Sequence, residues 1–202
     1  MPLGRVRFDV RVEILLFEGF DELDAIAPYE VFRLAARRSD GIDARLVTLE
    51  PTDLVEARSG LRVEPDGTVS ESSETLLVPG GGWHDPGEPG VRREYERGAI
   101  PETIADRFDS GATVASVCTG SLLLEAAGIL EGRPAATHHT AREDLREMGV
   151  DVREDRFVDD GRVLTASGIT SGFDLALHLV ERECGADVAD SVAGELEYER
   201  VI

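Results

Sequence analysis

The chain passes from a strand-like run to a helix-like run in three residues at Cys118, and that step limits the architectures open to it. Ala112-Thr-Val-Ala-Ser-Val117 is built of small and β-branched residues, Cys118-Thr119-Gly120 follows, and Ser121-Leu-Leu-Leu-Glu-Ala-Ala127 is rich in Leu and Ala. A buried strand that feeds directly into a helix is the repeating step of a parallel sheet. The same step puts the thiol at a helix N-terminus. Unpaired N–H groups and the positive end of the dipole there favour thiolate, so its pKa is expected below the free value of ~8.5. The competing reading is a buried, inert core cysteine.

The rest of the chain repeats the alternation. Apolar runs at 10–17, 43–49 and 75–78 read as strands, and 61–63 as a short extra one. Residues 28–37 read as a helix with Pro28 at its first position, and 91–109 as a charged helix broken near Ala99-Ile100-Pro101. Downstream, 135–137 reads as a strand, 141–148 as a helix, and 157–158 with 162–166 as a late strand pair. Residues 171–182 and 186–196 read as closing helices. The expected fold is α/β: a single-domain, doubly wound, mostly parallel sheet flanked by helices. In such sheets ligands gather outside the carboxyl ends of the strands, where Gly80-Gly81 and Cys118 would fall.

Charge excludes several classes of partner. Asp and Glu number 41 against 21 basic residues, a net charge of −20, and every basic residue is Arg because Lys, Asn and Gln do not occur. So acidic a surface repels phosphate backbones and anionic lipid, and no nucleic-acid partner is expected. The pattern suits a chain kept soluble in high salt, where screening weakens self-repulsion. Without Lys no side-chain Schiff base can form. No run reaches the ~20 apolar residues of a membrane helix, and the first residues lack the apolar stretch of a signal peptide. Cys118 and Cys184 lie far apart and form no C-x-x-C pair. A reducing cytoplasm, no membrane, no metal and no cofactor are therefore expected.

Three features share one neighbourhood in this arrangement: Asp24 after the first strand, the turn Pro79-Gly80-Gly81, and Val117-Cys118-Thr119-Gly120-Ser121. From the residues alone, Asp24 is either a turn or capping carboxylate near Pro28, with Asp21 competing for the cap, or an acid kept protonated beside the thiol. Gly80 and Gly81 either end a strand or present an N–H to developing negative charge, together with the N–H of Thr119.

With Ala136-Thr137-His138 and Ser167-Gly168-Ile-Thr-Ser-Gly172-Phe-Asp174 downstream, the chain resembles the ThiJ/PfpI family of the class I glutamine amidotransferase-like fold. The resemblance covers about residues 10–198, leaving 1–9 as an N-terminal extension and 199–202 as a tail. Val117-Cys-Thr-Gly-Ser-Leu122 and Ala126-Ala-Gly-Ile-Leu-Glu-Gly-Arg133 are most similar to the isonitrile hydratase subgroup and also to the ligand domains of AraC-type regulators. The resemblance implies a nucleophile at Cys118, a neighbouring Thr119 and an acid at Asp24, four residues before Pro28. It also implies a homodimer, and a histidine at His138 that either tunes the thiol or serves the structure.

The departures narrow the expectation. Peptidase members carry His where Thr119 stands, and stress-protein relatives carry Glu where Asp24 stands. The acidic Pro/Gly-rich segment 84–96 is longer than the subgroup implies and would reshape the pocket mouth. The leading expectation is a small-molecule enzyme that attacks an electrophilic substrate through Cys118, hydrating an isonitrile to an N-substituted formamide. The alternatives are a glyoxalase-like activity on methylglyoxal and a non-catalytic redox or metabolite sensor. A stand-alone regulator is not expected of an acidic chain ending at Ile202.

Overall fold

The computed structural model describes residues 10–200. The expected N-terminal extension, 1–9, and the last two residues of the expected tail lie outside the described residues. β1 (Val10–Leu15) leads through α1 (Glu22–Ala35) to β2 (Ile42–Thr48). A small hairpin of β3 (Val55–Glu56) and β4 (Arg62–Val63) and the edge strand β5 (Gly67–Thr68) precede β6 (Thr75–Val78). Then come α2 (Val91–Arg97), α3 (Ala99–Asp109), β7 (Thr113–Val117) and α4 (Ser121–Ala126). The chain continues through β8 (Pro134–Ala135), α5 (Arg142–Glu147), β9 (Asp151–Val152), β10 (Phe157–Asp160) and β11 (Val163–Ala166). It closes with α6 (Ser171–Cys184) and α7 (Ala186–Glu195).

The main sheet has seven strands in the order β10-β11-β7-β6-β1-β2-β5. Every neighbour is parallel except the β10–β11 pair at the edge. Helices α1, α6 and α7 pack together on one side, and α2, α3 and α4 pack together on the other. Covering both faces explains why β6, β11 and most of β1 and β7 are buried without a break rather than alternating. The expected doubly wound α/β architecture is what the chain adopts.

The strand expected at 135–137 is Pro134–Ala135, that at 10–17 ends at Leu15, and the short strands β3, β5 and β9 are not expected from the sequence. Two further differences have a clear physical reason. Helix α1 starts at Glu22, so Pro28 lies inside it rather than at its first position. Proline has no N–H to give the carbonyl of Asp24, and the helix accommodates that loss where Pro28 is buried against Gly172 of α6. The early start brings Asp24 into the helix, on its buried side. The break in the charged helix falls at Gly98, whose φ of 80° lies in the left-handed region, and Pro101 sits in the first turn of α3, where a missing N–H costs nothing.

Candidate active site

The strands β7 and β6 end beside one another, and the site forms at those ends. Cys118 follows β7 with φ of +60°, a left-handed conformation that non-glycine residues rarely hold and that clusters at functional sites. Its backbone is fixed at both ends. The Cys118 N–H donates to Ser167 O at 2.8 Å, and the Cys118 carbonyl accepts from Thr137 Oγ1 at 3.1 Å and Ser121 Oγ at 3.3 Å. Ser121 Oγ also donates to Thr137 Oγ1 at 2.8 Å.

Close approach of the neighbouring chain segments demands glycine. A Cβ on Gly120 would lie 2.4 Å from Val78 O, and one on Gly80 would lie 2.6 Å from Thr119 N and 2.9 Å from Asp24 Oδ2. Gly81 has φ of +121°, and a Cβ there would stand 2.6 Å from Gly19 O. The diglycine turn thus lets the β6 end, the Cys118 turn and the start of α1 meet.

Asp24 is fully buried, and its Oδ2 accepts the Gly80 N–H at 2.9 Å. Its Oδ1 has no nitrogen or oxygen partner among the described residues. Burial, with the nearby charge of Asp21, raises the Asp24 carboxyl to about 8. Burial thus favours the protonated form of this carboxyl group at neutral pH.

Cys118 reverses its expectation. Burial pushes the thiol up, and the Asp24 carboxylate pushes it further, against the pull of N–H groups from Thr119 and Ile169 that face the sulfur. The helix effect is weak here because a single 3-10 turn, Cys118–Gly120, separates β7 from α4, and α4 is only six residues long. At neutral pH the cysteine is a thiol held beside a carboxyl group. It is not a free-standing thiolate.

The diglycine turn also takes a different part from the one expected. The Gly80 N–H is bonded to Asp24, and the Gly81 N–H donates to Thr119 Oγ1 at 2.9 Å. Both donors are occupied in holding the site together, so neither is open to an oxyanion. Thr119 is buried, and its hydroxyl is fixed by the Gly81 contact. Its N–H and that of Ile169 are the donors that reach the sulfur.

His138 stands at the edge of this cluster. A Cβ on Gly168 would lie 2.9 Å from its Cδ2, while its Nδ1 is 2.9 Å from Thr140 Oγ1. Burial and the neighbouring His139 lower its pKa, which favours the neutral ring. Asp21, legible in the sequence only as a cap, stands at the N-cap of α1 without a side-chain capping bond. Its charge acts on Asp24, Cys118 and His138 together. The signal was its position one helical turn before Asp24.

The other residues flank the site. Trp83 is buried, packs edge-on against Tyr95 at 5.4 Å and donates to Asp144 Oδ2 at 3.1 Å. Exposed His84 lies 3.1 Å from Thr140 O, so segment 83–84 ties the β6 end to the turn that carries His138. A cavity of about 860 Å³ beside the hairpin is lined by Gly19, Arg58, Asp85 and Pro89 among others. Cys118 is not in its wall. Among the described residues, no cluster of three or more His, Cys, Asp or Glu is placed to hold a metal ion, and no helix is long and apolar enough to cross a membrane.

Comparison with known proteins gives a consistent result. The DJ-1/PfpI family model matches residues 10–182. An isonitrile hydratase from Pseudomonas putida is 34% identical over 191 residues, covering 94% of this chain and 78% of the relative. A glutathione-independent glyoxalase, DJR-1.2 of Caenorhabditis elegans, is 28% identical over 145 residues, covering 70% and 74%. The crystal structure of a ThiJ/PfpI family protein from Pseudomonas syringae superposes with a TM-score of 0.83 at 26% identity, covering 100% of this chain and 83% of the other.

Proposed function

The chain belongs to the DJ-1/PfpI family, and on that premise we propose that it is a cysteine-dependent enzyme that hydrates an isonitrile to an N-substituted formamide. The observation that carries the reading is the buried pair of Asp24 and Cys118, with the Thr119 N–H on the sulfur. The reaction needs a nucleophile and a proton donor at one carbon, and such a pair supplies both.

The reactive form is the pair carrying one proton. Asp24 takes the thiol proton as the Cys118 sulfur bonds to the terminal isonitrile carbon, and the carboxyl group returns that proton to the same carbon. One S–H bond breaks, and one S–C and one C–H bond form, leaving a thioformimidate on Cys118. Water then adds across the C=N bond, with Thr119 positioning its oxygen. The tetrahedral carbon expels the sulfur, which recovers a proton as the formamide leaves. No charge leaves the site at any step, which suits a buried pair.

Formamide release from a model isonitrile by the wild type, Cys118→Ala and Asp24→Asn tests the assignment. Both variants are expected to lose at least about a hundredfold in rate, and an unchanged rate in either overturns it. A glyoxalase-like reading is favoured by the similarity to DJR-1.2. It has the same sulfur attack an aldehyde, and it predicts lactate from methylglyoxal without added glutathione.

A further inference from the structure

One polar cluster, centred on the buried carboxyl group of Asp174 and otherwise partly exposed, takes no part in the chemistry above. Asp174, on the buried side of α6, accepts from Arg156 Nε at 2.6 Å and from the Tyr198 hydroxyl at 3.0 Å through the same oxygen, Oδ2. The Arg156 guanidinium also reaches Thr170 Oγ1 and the Tyr198 hydroxyl, both at 3.2 Å. Tyr198 stacks on Phe173 with ring centres 5.1 Å apart. The last described segment of the chain is thereby fastened to α6.

This cluster borders the segment that holds Cys118. Ser167 N–H donates to Arg156 O at 2.8 Å, and Ser167 Oγ donates to Asp155 O at 2.6 Å. The Ser167 carbonyl in turn accepts the Cys118 N–H. Residues 167–170 therefore lie between two fixed points: Cys118 on one side and Arg156 on the other, whose main-chain carbonyl holds Ser167 and whose guanidinium holds Thr170. Ile169, whose N–H faces the sulfur, is in the middle of that span.

We propose that Arg156, Asp174 and Tyr198 are positioning residues for the nucleophile: they set the 167–170 turn so that the Ile169 N–H stays aimed at the Cys118 sulfur. The idea deepens the reading of Cys118 as the reactive group. A carboxylate that is buried and bonded through one oxygen to two donors, a guanidinium among them, is a stiff anchor. Surface ion pairs elsewhere on this protein, such as Arg62–Glu56, have no comparable link to the site.

The test measures alkylation of Cys118 by iodoacetamide across pH, in a Cys184→Ala background so that one thiol is followed. Arg156→Ala is expected to move the midpoint of reactivity up by about one pH unit, a roughly tenfold loss of rate below it, as the Ile169 N–H no longer supports the negative charge that builds on sulfur as the thiol gives up its proton. Arg156→Lys recovers part of that loss, and Tyr198→Phe shifts the midpoint by less in the same direction. If Arg156→Ala does not fold, the Tyr198→Phe shift decides. Midpoints equal to that of the parent protein, with only the melting temperature lowered, overturn the proposal and leave the cluster a fastening for the C-terminal segment. Alkylation needs no isonitrile, so the hydratase reading can fail without this result changing.

Discussion

Cys118 and Asp24 act on one another in opposite directions: the thiol pulls the Asp24 carboxyl down, while the Asp24 carboxylate pushes the Cys118 thiol up. The proton is thus better placed on sulfur than on oxygen once the pair has lost one. That is the arrangement a base needs if it is to receive the thiol proton as the sulfur attacks.

Reactivity should follow that pair. Asp24 gives up its proton at about 8, so the rate of formamide formation or of Cys118 alkylation is expected to rise with pH through that value. Asp21 contributes to holding both groups protonated. Asp21→Asn is therefore expected to move the midpoint down, by up to about one pH unit. A pH–rate profile for the two proteins checks this, and an upward or absent shift contradicts it.

Asp24 should also weaken the fold as the pH rises. In the unfolded chain its carboxyl ionises near 3.8, while in the folded protein it keeps its proton to about 8. Between those values the native state binds more protons than the unfolded state, so stability falls with rising pH, at a slope approaching roughly 1.4 kcal/mol per pH unit from this group. Asp24→Asn retains an oxygen for the Gly80 N–H and removes the titration. Denaturant melts at pH 5 and pH 8 should show the variant's advantage growing over that interval.

Gly120 lets the cysteine turn approach β6. A methyl group there would meet Val78 O at 2.4 Å and Pro79 O at 2.8 Å, and both are backbone atoms with little room to yield. Gly120→Ala is expected to cost about 1–3 kcal/mol and to disturb Cys118 alkylation, as read by chemical denaturation and by the alkylation rate. Gly128, with nothing within 4 Å of a built Cβ, has only its φ of +75° against substitution. Gly128→Ala should leave Cys118 alkylation unchanged.

Net charge supplies another prediction. With −20 on 202 residues, self-repulsion is long-ranged at low salt and falls as the screening length shortens from ~10 Å at 0.1 M to ~3 Å at 1 M. The melting temperature is expected to rise between 0.1 M and 2 M KCl. A flat or falling curve would show that the acidic surface does not depend on salt.

Much of this arrangement is legible in the sequence because local pattern decides it. The apolar runs of β6 and β7, and the small residues between β7 and α4, follow from what a sheet covered on both faces requires. Asp24, Thr119 and the diglycine turn are likewise expected at the site, and the structure brings them together around Cys118. The ionisation of Cys118 is not legible. A helix N-terminus is visible in the chain, but burial and a carboxylate from another element are tertiary facts, and they outweigh it. Ile169 and Ser167 lie about fifty residues beyond the cysteine, in a motif whose order gives no hint of which backbone groups face the sulfur. Pro28 misleads for a different reason: its strong preference for a first turn is overridden by packing against α6.

The most direct test is mass spectrometry of the protein during turnover of an isotope-labelled isonitrile. A covalent adduct of substrate mass on the peptide containing Cys118, accumulating in the wild type and absent from Cys118→Ala, is the predicted result. Formamide production with Cys118 unmodified throughout, or undiminished in Cys118→Ala, would contradict the account.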